Sequence, residues 1–407
     1  MRSEAEISPP TKDGFAAFAS IFAVAIAGNA FVALSPLFVG AMADYWGMRE
    51  NAIGALVSYE FLGTSVATIL GIFFLHRPNW PLRATAFAAL ALFALGNLIT
   101  PFVHQHHWLL VGVRILCGLC AGFSWIVSAT AIAHLKNNKR ALPLFYGSPF
   151  FVGMVFQPIM PSLFSAWGLA GGYFMIAAGA ALCFLLYGAY LARNPPREAA
   201  LETAPSAARQ RLGLIALVIA SLTVQFIANT GLWTYFERIG IAGGHSLQTT
   251  ANVLSVALAF AMAGALLASA LAERVKPIPA IVGGTLLIAV ASILVLGSEN
   301  LAAFLIAASL FNLMITFITP FYFIVLEQNY DPAKGAILGN IAMILGFSAG
   351  PVMIGYTIID DRYVYAVLAT LALFALSAAL VGAYVLLRRK APQETRDAAA
   401  SEKINAT

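Results

Sequence analysis

Residues 108–135, WLLVGVRILCGLCAGFSWIVSATAIAHL, decide how the rest of this chain is read. As a helix these 28 residues span about 42 Å, against a bilayer hydrocarbon core of roughly 30 Å. Yet Arg114 stands only six residues, about 9 Å, inside the first end. Turned toward lipid, an arginine costs at least ~2.5–3.5 kcal/mol, so its face must be lined by protein or water. At ~100° per residue, Gly118, Trp125 and Ser128 fall within about 40° of that face. Gly118 and Gly122, four apart, let a neighbouring helix backbone come close.

The composition agrees with a membrane setting. Hydrophobic residues make up 60% of the 407 and charged ones 10%, with a mean hydropathy of +0.84; soluble proteins carry about 25% charged residues. The fold class expected is an all-α polytopic membrane protein. Although the pI is 9.1, the basic residues are spread through short loops and form no dense patch, so no nucleic-acid partner is expected. Cys117, Cys120 and Cys183 all fall in apolar stretches and read as small buried hydrophobes. His104, His106 and His107 share one turn and read as interfacial, not as a metal site. No cofactor is implied, and no GxxxxGK[ST] segment offers direct ATP drive. The first apolar stretch is expected to stay as an uncleaved spanning helix.

Apolar spans lie near 14–41, 51–75, 82–103, 108–135, 141–166 and 169–192, then near 212–237, 247–272, 278–298, 301–327, 333–358 and 362–387. Prolines mark 141–166 and 301–327 for kinks. The organisation expected is an N-terminal six-helix bundle over 1–192, a linker over 193–211, a second bundle over 212–390 and a tail over 391–407. With both termini inside, 19 of the 23 Lys and Arg face the inner side and three the outer, with Arg114 within a span. That asymmetry is the positive-inside signature, and it places both termini in the cytoplasm. The halves also echo each other. Asp44-Tyr-Trp-Gly47 precedes one helix that ends in Leu75-His-Arg77-Pro, and Glu237-Arg-Ile-Gly240 precedes another that ends in Ala272-Glu-Arg274-Val. Such duplication suits a solute site between two units that tilt about it.

The pattern Arg114-x-x-x-Gly118-x-x-x-Gly122, six spans plus six, and a basic central linker together resemble the major facilitator superfamily over essentially the whole chain. Within that family the likeness is nearest to the bacterial 12-helix drug and sugar efflux-like branch. The resemblance implies two pseudo-symmetric six-helix bundles, a monomer in the inner membrane and transport of a small organic solute. The run Tyr330-Asp331-Pro332-Ala333-Lys334-Gly335 is similar to a DPxGR-type loop of some of those proteins. Two features depart from the pattern. The loop His76-Arg-Pro-Asn-Trp-Pro-Leu-Arg83 keeps two basic residues but lacks the family's aspartate, and Gly153 is followed by Gln157-Pro158 where an antiporter motif would read GxxxGPxxGG. Gly346-x-x-x-Gly350-Pro351-x-x-x-Gly355 has nearly that spacing instead, on the eleventh span.

Glu60 is the only acid far from the end of a span, about 14 Å deep. Its helix runs in the same direction as the one bearing Arg114, so the two stand within roughly one turn in depth. A carboxylate alone in hydrocarbon stays protonated, and a guanidinium beside it restores the charge. A group held between those pressures can load and release a proton, which makes Glu60 and Arg114 the expected proton-coupling pair. A permanent pair that only fixes helix packing is the alternative. For the solute, the first, fourth, seventh and tenth spans line the path in proteins of this resemblance. They offer Asn29, Trp125, Gln225, Asn229, Trp233, Asn312, Thr316 and Tyr322, with Phe236 expected beside Gln225 and Asn229; Gln157 and Asn340 come from the fifth and eleventh. Buried amides need partners, which a solute or a neighbouring helix can supply. The partners expected are a small-molecule solute, protons and the bilayer. Export of an amphipathic compound is slightly favoured over uptake of a polar metabolite, because the candidate lining is aromatic and carries little charge. A membrane sensor that moves nothing is a third possibility. An enzyme is not expected, since one acid with no core His or Asp offers too few convergent groups.

Overall fold

A computed structural model describes residues 15–74, 81–133, 138–190, 212–330, 332–360 and 362–404. It is all-helical, with twelve helices long and apolar enough to cross a membrane among the described residues. The first six are α1 (Phe15–Trp46), α2 (Glu50–Phe74), α3 (Leu82–Val103), α4 (His107–Ala133), α5 (Asn138–Phe156) and α6 (Leu169–Tyr190). The second six are α7 (Leu212–Thr234), α8 (Leu247–Leu271), α9 (Pro277–Leu294), α10 (Leu301–Asn329), α11 (Pro332–Gly355) and α12 (Val364–Ile404). Below, the face that carries both chain ends is the terminal face and its opposite the distal face.

Local chemistry sets the helix ends. Ser246 caps α8 by accepting from the Thr249 amide, and Asn300 caps α10 by accepting from Ala302 and Ala303. Gly47 (φ 62°) and Gly168 (φ 60°) make two distal turns in a left-handed conformation that a side chain would strain. Pro158 lacks an amide hydrogen, so α5 passes through a 3-10 turn, Gln157–Ile159, before helix resumes over Met160–Trp167. Where a proline kink is expected near 141–166 the helix is interrupted by this 3-10 turn, while α10 runs as one helix through Pro320. Leu95, Leu98 and Phe102 on α3, Leu182 and Leu185 on α6, and Leu286, Val290 and Ile293 on α9 are exposed, a belt suited to lipid tails.

The same neighbours recur in the two halves. In the first, α4 packs on α2 and α3, and α1 on α5 and α6; in the second, α10 packs on α8 and α9, and α7 on α11 and α12. Corresponding crossings use glycine. A Cβ on Gly63 of α2 would strike the Ile115 carbonyl of α4, and one on Gly264 of α8 the Leu313 carbonyl of α10. The halves meet through α2 against α11 and α5 against α8.

Two expectations change. The seventh span, read as continuing to about 237, ends at Thr234. Tyr235 leaves helical geometry (φ −105°, ψ 7°) and a separate helix, Phe236–Ala242, begins. The segment 237–240, read as a loop, is therefore helical, with Glu237, Ile239 and Gly240 buried. Helix α12 also continues past the expected span end near 387. The linker over 193–211 and most of the loop between α2 and α3 lie outside the described residues.

Candidate functional site

Arg114 and Glu60 meet inside the first six helices. The Arg114 Nε donates to Glu60 Oε2 at 3.0 Å, and Nη2 closes the ion pair on the same oxygen. Nη1 donates to Asn97 Oδ1 (3.1 Å) and Thr100 Oγ1 (3.3 Å) on α3. Those acceptors are held in place. Asn97 gives its amide hydrogen to the Phe93 carbonyl at 2.8 Å, and Thr100 gives its hydroxyl to the Gly96 carbonyl at 2.7 Å. The rings of Phe31 on α1 and Tyr173 on α6 cover the guanidinium at 4.6 and 5.0 Å. The side chains of Arg114 and Glu60 are 0% and 3% exposed, so protein and not lipid lines the face that carries the arginine. Gly118 and Gly122 make this possible, because a Cβ at either would strike the α2 backbone at Glu60 or Thr64.

The expected solute residues do not gather into one group. Asn29 is half-buried and returns its amide to the Ala25 carbonyl (3.0 Å); Asn312 and Asn340 do the same to Ala308 and Ala336 (both 2.9 Å). Trp125 stacks on Phe145 of α5 at 4.0 Å near the terminal face, and Trp233 packs on Phe236 at 5.4 Å near the distal face. Asn229 lies one turn deeper, buried, with its Nδ2 unpartnered. A helix break at Tyr235 separates Phe236 from the helix that carries Gln225 and Asn229, so one helical period does not relate the three.

Four candidates are turned into protein contacts. Gln157 donates to the Ala33 carbonyl (2.9 Å), and Gln225 accepts from Thr285 of α9 (3.4 Å). Thr316 ties α10 to the Ala261 carbonyl of α8 at 2.7 Å. Tyr322 is fully buried, its hydroxyl 3.0 Å from Ser221 of α7 and 3.2 Å from Ser377 of α12. The pairing is incomplete for the two glutamines, since Gln157 Oε1 and Gln225 Nε2 are buried without a partner; which atoms a neighbouring helix satisfies is not revealed by helical spacing alone.

The distal face joins the halves through contacts that link residues far apart in sequence. Arg238 pairs with Asp44 at 2.7 Å, and the Tyr235 hydroxyl stands 3.0 Å from the carbonyls of both Glu50 and Pro351. Gln248 donates to the Pro158 carbonyl (3.0 Å), Ser255 to Met154 (2.5 Å), and the Val352 amide to Ser58 (3.0 Å). Deeper in, Ser65 of α2 reaches the Ile344 carbonyl of α11 at 3.1 Å. In the Gly346–Gly350–Gly355 run the first two glycines lie against α7 within the second half, and Gly355 reaches the seam, against Tyr235 and the Glu50 carbonyl. The structure is thus closed on its distal face.

The family model of the Major Facilitator Superfamily matches residues 17–339. The chain belongs to the Major Facilitator Superfamily. Its structure is similar to the nucleoside transporter NupG (TM-score 0.70, 11% identity, covering 91% of this chain and 99% of that one). It is also similar to a D-xylose–proton symporter (0.73, 13%, 90% and 97%) and to a POT family transporter in complex with 5-aminolevulinic acid (0.73, 11%, 93% and 98%). At such identities the likeness shows the fold. A search of curated proteins finds no match.

As a superfamily member the chain is a multi-pass protein of a transporter family. Its distal seam contains what the residue pattern missed. The segments around Asp44 at the end of α1 and Glu237-Arg238 on the short helix, seen in sequence only as echoes of one another, touch. Their similar places ahead of corresponding helices were the one available signal.

Proposed function

We propose that this protein is a proton-coupled secondary transporter of a small organic solute, working by alternating access, with Glu60 as proton carrier and Arg114 as its partner. The observation that carries the proposal is the buried Glu60–Arg114 pair, set deep in its span, whereas Asp44, Glu50 and Glu327 stand at the ends of theirs. Arg114 already has further partners in Asn97, Thr100 and the two rings. When Glu60 takes a proton and the pair weakens, the guanidinium is therefore not left bare, which lowers the penalty that makes buried pairs hard to break. Asn29, Asn229, Asn312 and Asn340, with Trp125 and Trp233, are the proposed solute contacts. Gln157, Gln225, Thr316 and Tyr322 serve by holding the helices that carry them. The sparse charge of these groups supports an amphipathic solute and export, and the Lys and Arg asymmetry supports an inner-membrane protein with cytoplasmic termini.

The test uses proteoliposomes and a solute found by its melting shift in detergent. Glu60→Gln abolishes accumulation driven by an imposed pH gradient while solute counterflow persists. Gradient-driven accumulation by E60Q overturns the assignment of Glu60.

A further inference from the structure

Glu237 is completely buried, and neither of its carboxyl oxygens meets a hydrogen-bond donor among the described residues. It stands on the short helix Phe236–Ala242 of the second half and presses on α1 of the first, since a Cβ on Gly40 would overlap its carboxyl group. The absence of a side chain at 40 is what admits it. An ionised carboxylate in a dry seam without donors is strongly disfavoured, whereas the neutral acid costs far less.

The charged and titratable neighbours are few. Arg238 follows on the same helix; its Nη1 pairs with Asp44 of α1 at 2.7 Å, and its Nε is buried without a partner among the described residues. Tyr235 directs its hydroxyl to the Glu50 and Pro351 carbonyls, and Tyr363 lies near Arg238. On α1 the ionisable groups are Asp44 and Tyr45; α7 and α8 bring none, and α8 meets the short helix with Thr250 at Gly240. His245, just past the short helix, gives its amide to the Gly240 carbonyl and sets a ring nitrogen 2.6 Å from the Ser298 carbonyl. None of these groups bonds to Glu237.

We infer that Glu237 is a second proton-binding site of this transporter, one that holds the distal face shut while protonated and releases it when the proton leaves. The inference rests on the alternating-access part of the function proposed above and does not depend on Glu60. The carboxyl takes its proton from distal water as the seam closes and returns it there as the seam opens. Burial pushes Glu237 up from 4.5 to about 8, with Arg238 opposing the rise and Asp44 adding to it. The closed state therefore binds the proton more tightly than an open state in which water reaches the carboxyl. Closure is strongest below pH 4.5, weakens as pH rises to about 8, and changes no further above that.

The experiment measures the distance between spin labels on Ala52→Cys of α2 and Ala242→Cys of the short helix, both at exposed distal positions. The full chain, with its three native cysteines replaced, is held in lipid nanodiscs from pH 4.5 to 9. The expected result is a short distance at low pH giving way to a longer one by pH 8, a step that Glu237→Gln abolishes by staying short throughout. A second variant, Glu237→Ala, folds without a titratable group and also lacks the step. The same step in E237Q and E237A as in the parent, or no step in the parent, overturns the proposal. Because no transported solute or pH gradient is involved, a failed Glu60 assignment leaves this readout unaffected.

Discussion

Arg114 is held by several bonds at once: two to Glu60, one each to Asn97 and Thr100, and two ring faces. A lysine carries one point charge and cannot reproduce that planar fork, so Arg114→Lys should behave as a disruptive change. Removing Arg114 strands the Glu60 carboxylate in a buried site, whereas loss of the Glu60 charge leaves the guanidinium its other partners. Arg114→Met is therefore expected to destabilise by about 3–5 kcal/mol, and the double variant Glu60→Gln with Arg114→Met by much less than the sum of the singles. Chemical unfolding in detergent checks this; additive single and double effects would show that the two groups are not coupled. Tyr322→Phe should cost about 1 kcal/mol by the same measurement, because Ser221 and Ser377 remain bonded to each other at 2.9 Å. Solute affinity should not change in Y322F.

At the scale of elements, the α2–α4 crossing depends on three glycines, Gly63, Gly118 and Gly122, whose missing side chains bring the two backbones close enough for Glu60 and Arg114 to pair. Gly118→Ala forces a methyl group into the Glu60 carbonyl and should lower the melting temperature by the equivalent of about 1–3 kcal/mol. Gly112→Ala on the same helix meets nothing within 4 Å and should be neutral or slightly stabilising. Equal melting of the two variants would contradict a close crossing. This crossing was readable from the sequence, since the period of a helix puts residues 114, 118 and 122 on one strip. The end of α7 was not. Residues 228–237 carry no proline to announce a break, and at Tyr235, where it falls, the side-chain hydroxyl meets carbonyls of Glu50 and Pro351, more than 100 residues distant on either side.

For the molecule as a whole, the distal face is where the halves are joined. The Asp44–Arg238 pair bridges them with Asp44 at 53% and Arg238 at 17% exposure, so water and salt screen it and its worth is at most about 1 kcal/mol. Even so, that is enough to shift a balanced open–closed equilibrium several-fold. Arg238→Asp should raise the open fraction reported by the label pair on Ala52→Cys and Ala242→Cys. The double swap Asp44→Arg with Arg238→Asp should restore the closed distance at low salt and lose that rescue at high salt. No recovery in the swap would mean the pair does not contribute to closure.

Composition and hydrophobic period determined by themselves that the chain makes twelve spans, that the ends share a face, and that one guanidinium and one carboxylate sit deep at similar levels. Those properties depend on residues near one another in sequence and on the cost of charge in hydrocarbon. Only the tertiary structure decided which polar groups answer each other: that Gln225 and Tyr322 are taken by α9 and α12, that Asp44 meets Arg238, and that Glu237 is shut against Gly40. Helical spacing fixes the direction of a side chain around its own axis, but what it meets there depends on which helix the fold brings alongside.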